Sequence, residues 1–155
     1  MKTLLNSVAV ITIVCAGPAW AAADSVQTPG GDPVVEQVDA AIAAKDWKQA
    51  QGILRGELAK APQNADYHNL FAYSMRMGAN PPMDLVFKHY NEALTLDPRH
   101  RGAHEYIGEA YLMVGNVGKA KEHLAQLDKL CVFSCSEFTD LKNAIAQFET
   151  KQVAK

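Results

Sequence analysis

Cys131 and Cys135 are the side chains of this sequence best equipped for covalent chemistry, because a thiolate is both a nucleophile and a soft-metal ligand. Three residues separate them, which is neither the two-residue spacing of a redox motif nor that of a zinc-ribbon pair. Two readings are open at this point. As a disulfide, the pair closes a short loop and pins the segments on either side of it. As thiols, Cys135 near a helix N-terminus has a lowered pKa and favours redox exchange or binding of copper or zinc.

Five histidines raise the question of metal binding, above all His100 and His104 with Glu105 and Glu109 close by. However, His68 and His104 lie 36 positions apart and His89 and His123 lie 34 apart. Duplication of a structural unit explains that pairing more simply than a ligand set does. His104-Glu105 is not followed by the second histidine of a zinc-hydrolase helix, and neither a Ser-His-Asp set nor a Gly-rich phosphate loop is recognisable. The expectation is a protein without catalytic residues, resident cofactor or metal.

Charge and composition agree with a partner-binding role. Fifteen Lys and Arg stand against 17 Asp and Glu, a net charge of −2, which argues against a dedicated nucleic-acid binder. The hydrophobic fraction of 48% is ample for a packed core. Met1-Lys2, the apolar run Leu4 to Val14 and the small residues Ala19 to Ala23 read as a secretory leader, cleaved after Ala21 or Ala23. Val14 before Cys15 and Thr12 upstream disfavour lipidation. Removing the leader leaves about 130 residues, one domain by size, and two cysteines in an oxidising compartment. In a bacterium that compartment is the periplasm, with a soluble mature protein and no stable membrane insertion after cleavage.

The elements that position these residues are helices throughout. Val34, Val35, Val38, Ala41 and Ile42 share a face, Lys45-Asp46 makes a turn, and Trp47, Ala50, Ile53, Leu54 and Leu58 line a second helix before Pro62. The pattern recurs with His68, Phe71, Ala72 and Met75, then Val86, Tyr90, Ala93 and Leu94 before Pro98. A third copy carries His104, Ile107, Gly108 and Tyr111, the Gly115-Asn116 turn, then Ala120, Leu124, Leu127 and Leu130. Pro62 to Pro98 and Phe71 to Ile107 both span 36 positions, but Val86 to Ala120 spans 34, so two extra residues sit in the Gly78 to Pro82 loop. Phe138, Leu141, Ile145 and Phe148 then mark a terminal helix, started near Cys135 by the capping-box pattern Ser134-Cys135-Ser136-Glu137.

A helix-turn-helix unit with a period near 34, carrying Gly108, Tyr111, Ala120 and Asp46-Trp47-Lys48-Gln49-Ala50 at these offsets, resembles the tetratricopeptide repeat (TPR) family. The resemblance implies an all-α, right-handed helical-hairpin solenoid of three TPR-like repeats with a C-terminal capping helix. The expected boundaries are a leader at 1–23, a flexible N-terminus at 24–30, repeats at 31–64, 65–100 and 101–134, and the cap at 135–152.

Family resemblance further implies that a partner segment lies along the inner face made by the first helix of each hairpin. That assigns Asp39, Asn69, Tyr73, Arg76, Glu105, Glu109 and Met113 to the groove. Some members clamp a partner's terminal carboxylate with Lys and Asn side chains, whereas Glu105 and Glu109 here suit a protein or peptide with a basic segment. Arg76 and Tyr73 are expected to take an acidic or aromatic neighbour. The implied function is a non-catalytic protein-binding module, an adaptor or assembly factor of the periplasm. A redox or metal-handling protein that uses Cys131 and Cys135 is the competing reading.

Overall fold

The computed structural model describes residues 31–133 and 135–153. The leader, its cleavage site, the 24–30 segment and Ser134 of the capping-box pattern lie outside the described residues. Seven helices follow one another: α1 Pro33–Ala43, α2 Trp47–Lys60, α3 Ala65–Arg76, α4 Met83–Leu96, α5 Arg101–Met113, α6 Val117–Leu130 and α7 Ser136–Val153. No strand occurs among the described residues. Helices α1/α2, α3/α4 and α5/α6 are successive antiparallel hairpins, and α7 packs on both α5 and α6. The fold is the TPR-like helical solenoid that the repeat pattern predicts.

Side-chain caps set the helix starts. Asp32, Asp46, Asn64 and Asn116 each accept a hydrogen bond from a first-turn backbone N–H, at 2.8, 3.0, 3.1 and 3.1 Å respectively, satisfying a donor that the helix itself leaves free. His100 does the same through Nδ1, accepting from the Ala103 N–H at 3.1 Å. The tight turns of the first and third hairpins are built alike. Asp46 N–H reaches Ala41 O and Lys45 N–H reaches Ile42 O, as Asn116 N–H reaches Tyr111 O and Gly115 N–H reaches Leu112 O. Both turns place one residue in the left-handed region, Gly115 at φ 77° and Lys45 at φ 56°; glycine takes this conformation without the Cβ penalty that lysine bears. The second hairpin has the longer connection, as the register predicts, with Asn80 at φ 51°.

Close approach of the helices depends on small residues. Ala50, Ala72, Ala93, Ala103 and Ala120 are completely buried, among Leu54, Val86, Tyr90, Ile107 and Leu127. One core runs from α1 to α5 and a second joins α5 and α6 to α7. At the junction of α5 and α7, a Cβ on Gly108 would lie 2.6 and 2.8 Å from the two methyl carbons of Leu141. Glycine is therefore what lets α7 seat on α5 and bury Leu141 and Ile145, closing an apolar end that a repeat array cannot leave open.

Candidate functional site

Helices α3, α5 and α7 jointly line a cavity of about 570 Å³. From α3 and the turn after it come Tyr73, Arg76 and Met77, from α5 Glu105, Tyr106 and Glu109, and from α7 Asp140, Asn143 and Gln147. Helical geometry explains the set: residues three or four apart share a face, so Glu105/Glu109 and Asp140/Asn143/Gln147 form polar rows. On α7 this row lies beside the face that buries Leu141 and Ile145.

Aromatic side chains form the wall. The Tyr73 and Tyr106 rings are 4.7 Å apart, and Trp47 meets Tyr73 edge-on at 6.2 Å. Arg76 lies over both tyrosines, 5.4 Å from the Tyr73 centroid and 5.7 Å from that of Tyr106. Its Nη2 pairs with Glu109 Oε2 at 2.7 Å and its Nε donates to the Tyr90 hydroxyl at 3.3 Å. Only 8% of Arg76 is exposed. The expectation that Arg76 takes an acidic neighbour from a partner is thereby corrected: its charge is already matched by Glu109 from the following hairpin.

Glu105 is in the opposite condition. It is also 8% exposed, yet it forms no ion pair or hydrogen bond among the described residues. Burial, followed by the neighbouring charges of Glu109, Asp140 and Glu137, pushes its carboxyl up to about 8, with Arg76 pulling the other way. The cavity thus holds three acids: Glu109 paired with Arg76, Asp140 on α7, and the buried Glu105, whose surroundings favour the protonated form.

Of the seven expected groove residues, Tyr73, Arg76, Glu105 and Glu109 meet in this cavity and three do not. Asp39 is exposed on α1. Asn69 is buried near the α5 N-terminus, where a Cβ on Gly102 would lie 3.5 Å from its Nδ2, and its Oδ1 is unpartnered among the described residues. Met113 stands exposed at the end of α5. Tyr106, Met77, Asp140, Asn143 and Gln147 were not foreseen. The signal for the last three was the 3–4 spacing of polar residues beside the Leu141/Ile145 stripe, which marks a second useful face on the terminal helix.

Away from the cavity, the duplicated histidines meet inside their hairpins. His68 Nδ1 and His89 Nδ1 are 2.8 Å apart, and His104 Nδ1 and His123 Nδ1 are 2.9 Å apart. His68 Nε2 faces Pro62 O at 2.9 Å and His104 Nε2 faces Pro98 O at 3.1 Å. A carbonyl can only accept, so Nε2 carries the proton in His68 and His104; their Nδ1 then accepts from the Nδ1–H of His89 and His123. Burial lowers the pKa of His89, His104 and His123, to about 4 for His123. Among the described residues, no group of three or more His, Cys, Asp or Glu is placed to hold a metal ion.

Cys131 caps α6 and Cys135 precedes α7. Their Cα atoms are 5.8 Å apart and the sulfurs are at bonding distance, so the pair is placed to tie the last hairpin to the terminal helix. Val132 and Phe133 between them are 85% and 88% exposed. Among the described residues, no helix is long and apolar enough to cross a membrane.

Paired helices stacked side by side and closed by a seventh define the class of fold as a TPR-like solenoid. A solved structure of the same architecture is the TPR2B domain of yeast Sti1, described as a TPR2B-domain:pHsp70 complex. It is 16% identical with a TM-score of 0.66, over 76% of this chain and 94% of that one. No family model matches the sequence. No curated protein matches it either.

Proposed function

We propose that this protein is a non-catalytic protein-interaction module, an exported periplasmic adaptor or assembly factor that holds a segment of a partner in the cavity between α3, α5 and α7. The observation that carries this reading is the cavity itself: two tyrosine rings in tilted contact, amide side chains from α7, and Glu105 buried beside Asp140 without a cation of its own. Such a lining suits an extended protein segment that brings one lysine or arginine, since electrostatic complementarity fixes register and partner choice. The solved neighbour, described as a complex with pHsp70, supports the general mode. Export rests on the leader-like sequence of residues 1–23 alone.

Native mass spectrometry of the untagged protein, taken from its own compartment, identifies the retained partner. The double variant Glu105→Lys/Asp140→Lys is expected to lose that partner while keeping its helical content. Unchanged capture would remove the groove assignment. The competing reading, redox or metal handling, would use Cys131 and Cys135, which lie at bonding distance beside the start of α7 and so fit a structural disulfide. The same spectrum separates the two, because a reduced pair carrying copper or zinc moves the chemistry to the cysteines, whereas a metal-free disulfide leaves it in the cavity.

A further inference from the structure

Resting on that reading of the cavity, we propose that partner capture is a proton exchange at Glu105: the empty groove holds this carboxyl protonated, and a lysine or arginine side chain of the partner enters beside it and takes the proton's place. The ammonium or guanidinium keeps its own protons, the Glu105 O–H bond breaks, and that proton leaves to solvent. A neutral acid becomes one half of an ion pair.

Burial and the surrounding acids favour the protonated state of the empty site. Glu105 as a residue is 8% exposed, its carboxyl opens only onto the cavity, and no ion pair or hydrogen bond of it occurs among the described residues; a largely buried carboxylate without a cation is costlier than the carboxylic acid. The groups around it do not relieve this. From α3, Tyr73 is uncharged and Arg76 is committed to Glu109 at 2.7 Å and, through Nε, to Tyr90 of α4. From α5 itself come Tyr106, Glu109 and Arg101, and Arg101 is turned to Glu137 at 3.4 Å. From α7 come Glu137 and Asp140. Four acids, Glu105 included, and two engaged cations leave a negative field, and Glu105 is the member that gives up its charge. The upward shift of its carboxyl to about 8 is the expected companion of this arrangement.

An arriving cation reverses the balance. It supplies the missing partner at the open side of the cavity, and it is attracted by Asp140 as well as by Glu105. Because binding releases a proton, affinity for a basic segment should rise with pH below about 8 and level off above it. At full exchange the rise is about tenfold per pH unit. His89, His104 and His123 are shifted down, away from this range, and the lysine of the partner stays charged throughout.

The test uses the whole chain, uniformly labelled for carboxyl 13C NMR, with the peptide acetyl-Lys-Lys-Lys-amide as probe. Glu105 is assigned by its absence in Glu105→Gln. In the free protein the Glu105 carboxyl should titrate with a midpoint near 8, and saturating peptide should lower that midpoint by more than one unit. Affinity read from the Tyr73, Asn143 and Gln147 resonances should rise about tenfold or more from pH 6.5 to pH 8, and Glu105→Gln should abolish the rise. A free-protein midpoint below 6 overturns the proposal, as does a pH dependence that survives in Glu105→Gln. Peptide that moves the cavity resonances without changing Glu105 protonation overturns the exchange while leaving the groove reading in place. Peptide that moves none of them at any pH overturns both.

Discussion

The second and third hairpins are copies offset by 36 residues in the first helix and 34 in the second, and they differ in an instructive way. What lies between the helices of each hairpin is repeated almost atom for atom: His68 with His89 and the Pro62 carbonyl, His104 with His123 and the Pro98 carbonyl. What faces the cavity has diverged. Asn69 corresponds to Glu105, Tyr73 to Glu109 and Arg76 to Leu112. The two copies share the histidine pairs and the proline carbonyls that they face, and differ at the positions of Asn69, Tyr73 and Arg76. The histidine pairs therefore read as architecture, two rings and a hydrogen-bond chain inside each hairpin, and the diverged positions read as the place of specificity.

The sharpest way to break this comparison is at the position where the two copies are covered by different neighbours. Ala72 and Gly108 are equivalent, but only Gly108 has Leu141 methyl groups where a Cβ would go. Leu141→Ala should cost about 2–5 kcal/mol, as for other buried leucines, and Gly108→Ala about 1–3 kcal/mol through overpacking. The double variant should lose less than the sum, because the cavity made by one substitution accepts the methyl of the other. Urea denaturation of the four proteins checks this. Strict additivity would mean that α7 does not seat on Gly108.

A smaller effect is expected at Arg76 and Glu109, where one copy reaches into the other. Arg76→Met leaves a partly exposed carboxylate, and Glu109→Gln leaves a buried guanidinium with acceptors but no counter-charge. Each should cost about 2 kcal/mol, below the range for fully buried pairs because Glu109 retains access to water. Combined, they should cost little more than either alone, which a thermal-unfolding double-mutant cycle would show. An uncoupled pair would return Arg76 to the role of a free cation in the groove.

These two sites also show what could and could not be read from the sequence. The hairpins were legible because Pro62 and Pro98 and the small residues at Ala72, Gly108, Ala50 and Ala120 recur at a fixed period, and period survives without knowledge of contacts. Duplication of the histidines was legible for the same reason. Their contact was not, since His68 and His89 lie on different helices and only the crossing of α3 and α4 brings them together. Arg76 looked available because it sits near the end of an inner helix, and nothing local reveals that Glu109 and Tyr90 converge on it. The α7 wall was missed because a terminal helix was credited with covering an apolar end, which explains Leu141 and Ile145 but leaves Asp140, Asn143 and Gln147 without a task.

The finest test separates the two regions by the sign of their response to pH. In the histidine pairs the folded protein favours neutral imidazole: His89, His104 and His123 are shifted down from 6.5, His123 to about 4. Their contribution is complete above pH 6.5 and is lost as pH falls toward 4, where the unfolded chain binds protons that the folded chain resists. Protonating the acceptor Nδ1 of His68 or His104 would also set one N–H against another at 2.8 or 2.9 Å. In the cavity the order is reversed. Glu105 is shifted up from 4.5 to about 8, so its contribution is complete below pH 4.5 and is lost as pH rises toward 8, where the folded protein must hold a carboxylate that the unfolded chain exposes to water. Melting temperature followed from pH 4 to pH 9 should therefore bend down at both ends, by about 5 °C on each side. Glu105→Gln should flatten the alkaline side alone, and His104→Phe/His123→Phe should flatten part of the acid side alone. If either variant altered the opposite limb, the hairpin interior and the cavity would be one coupled unit, and the division between kept architecture and diverged specificity would fail with it.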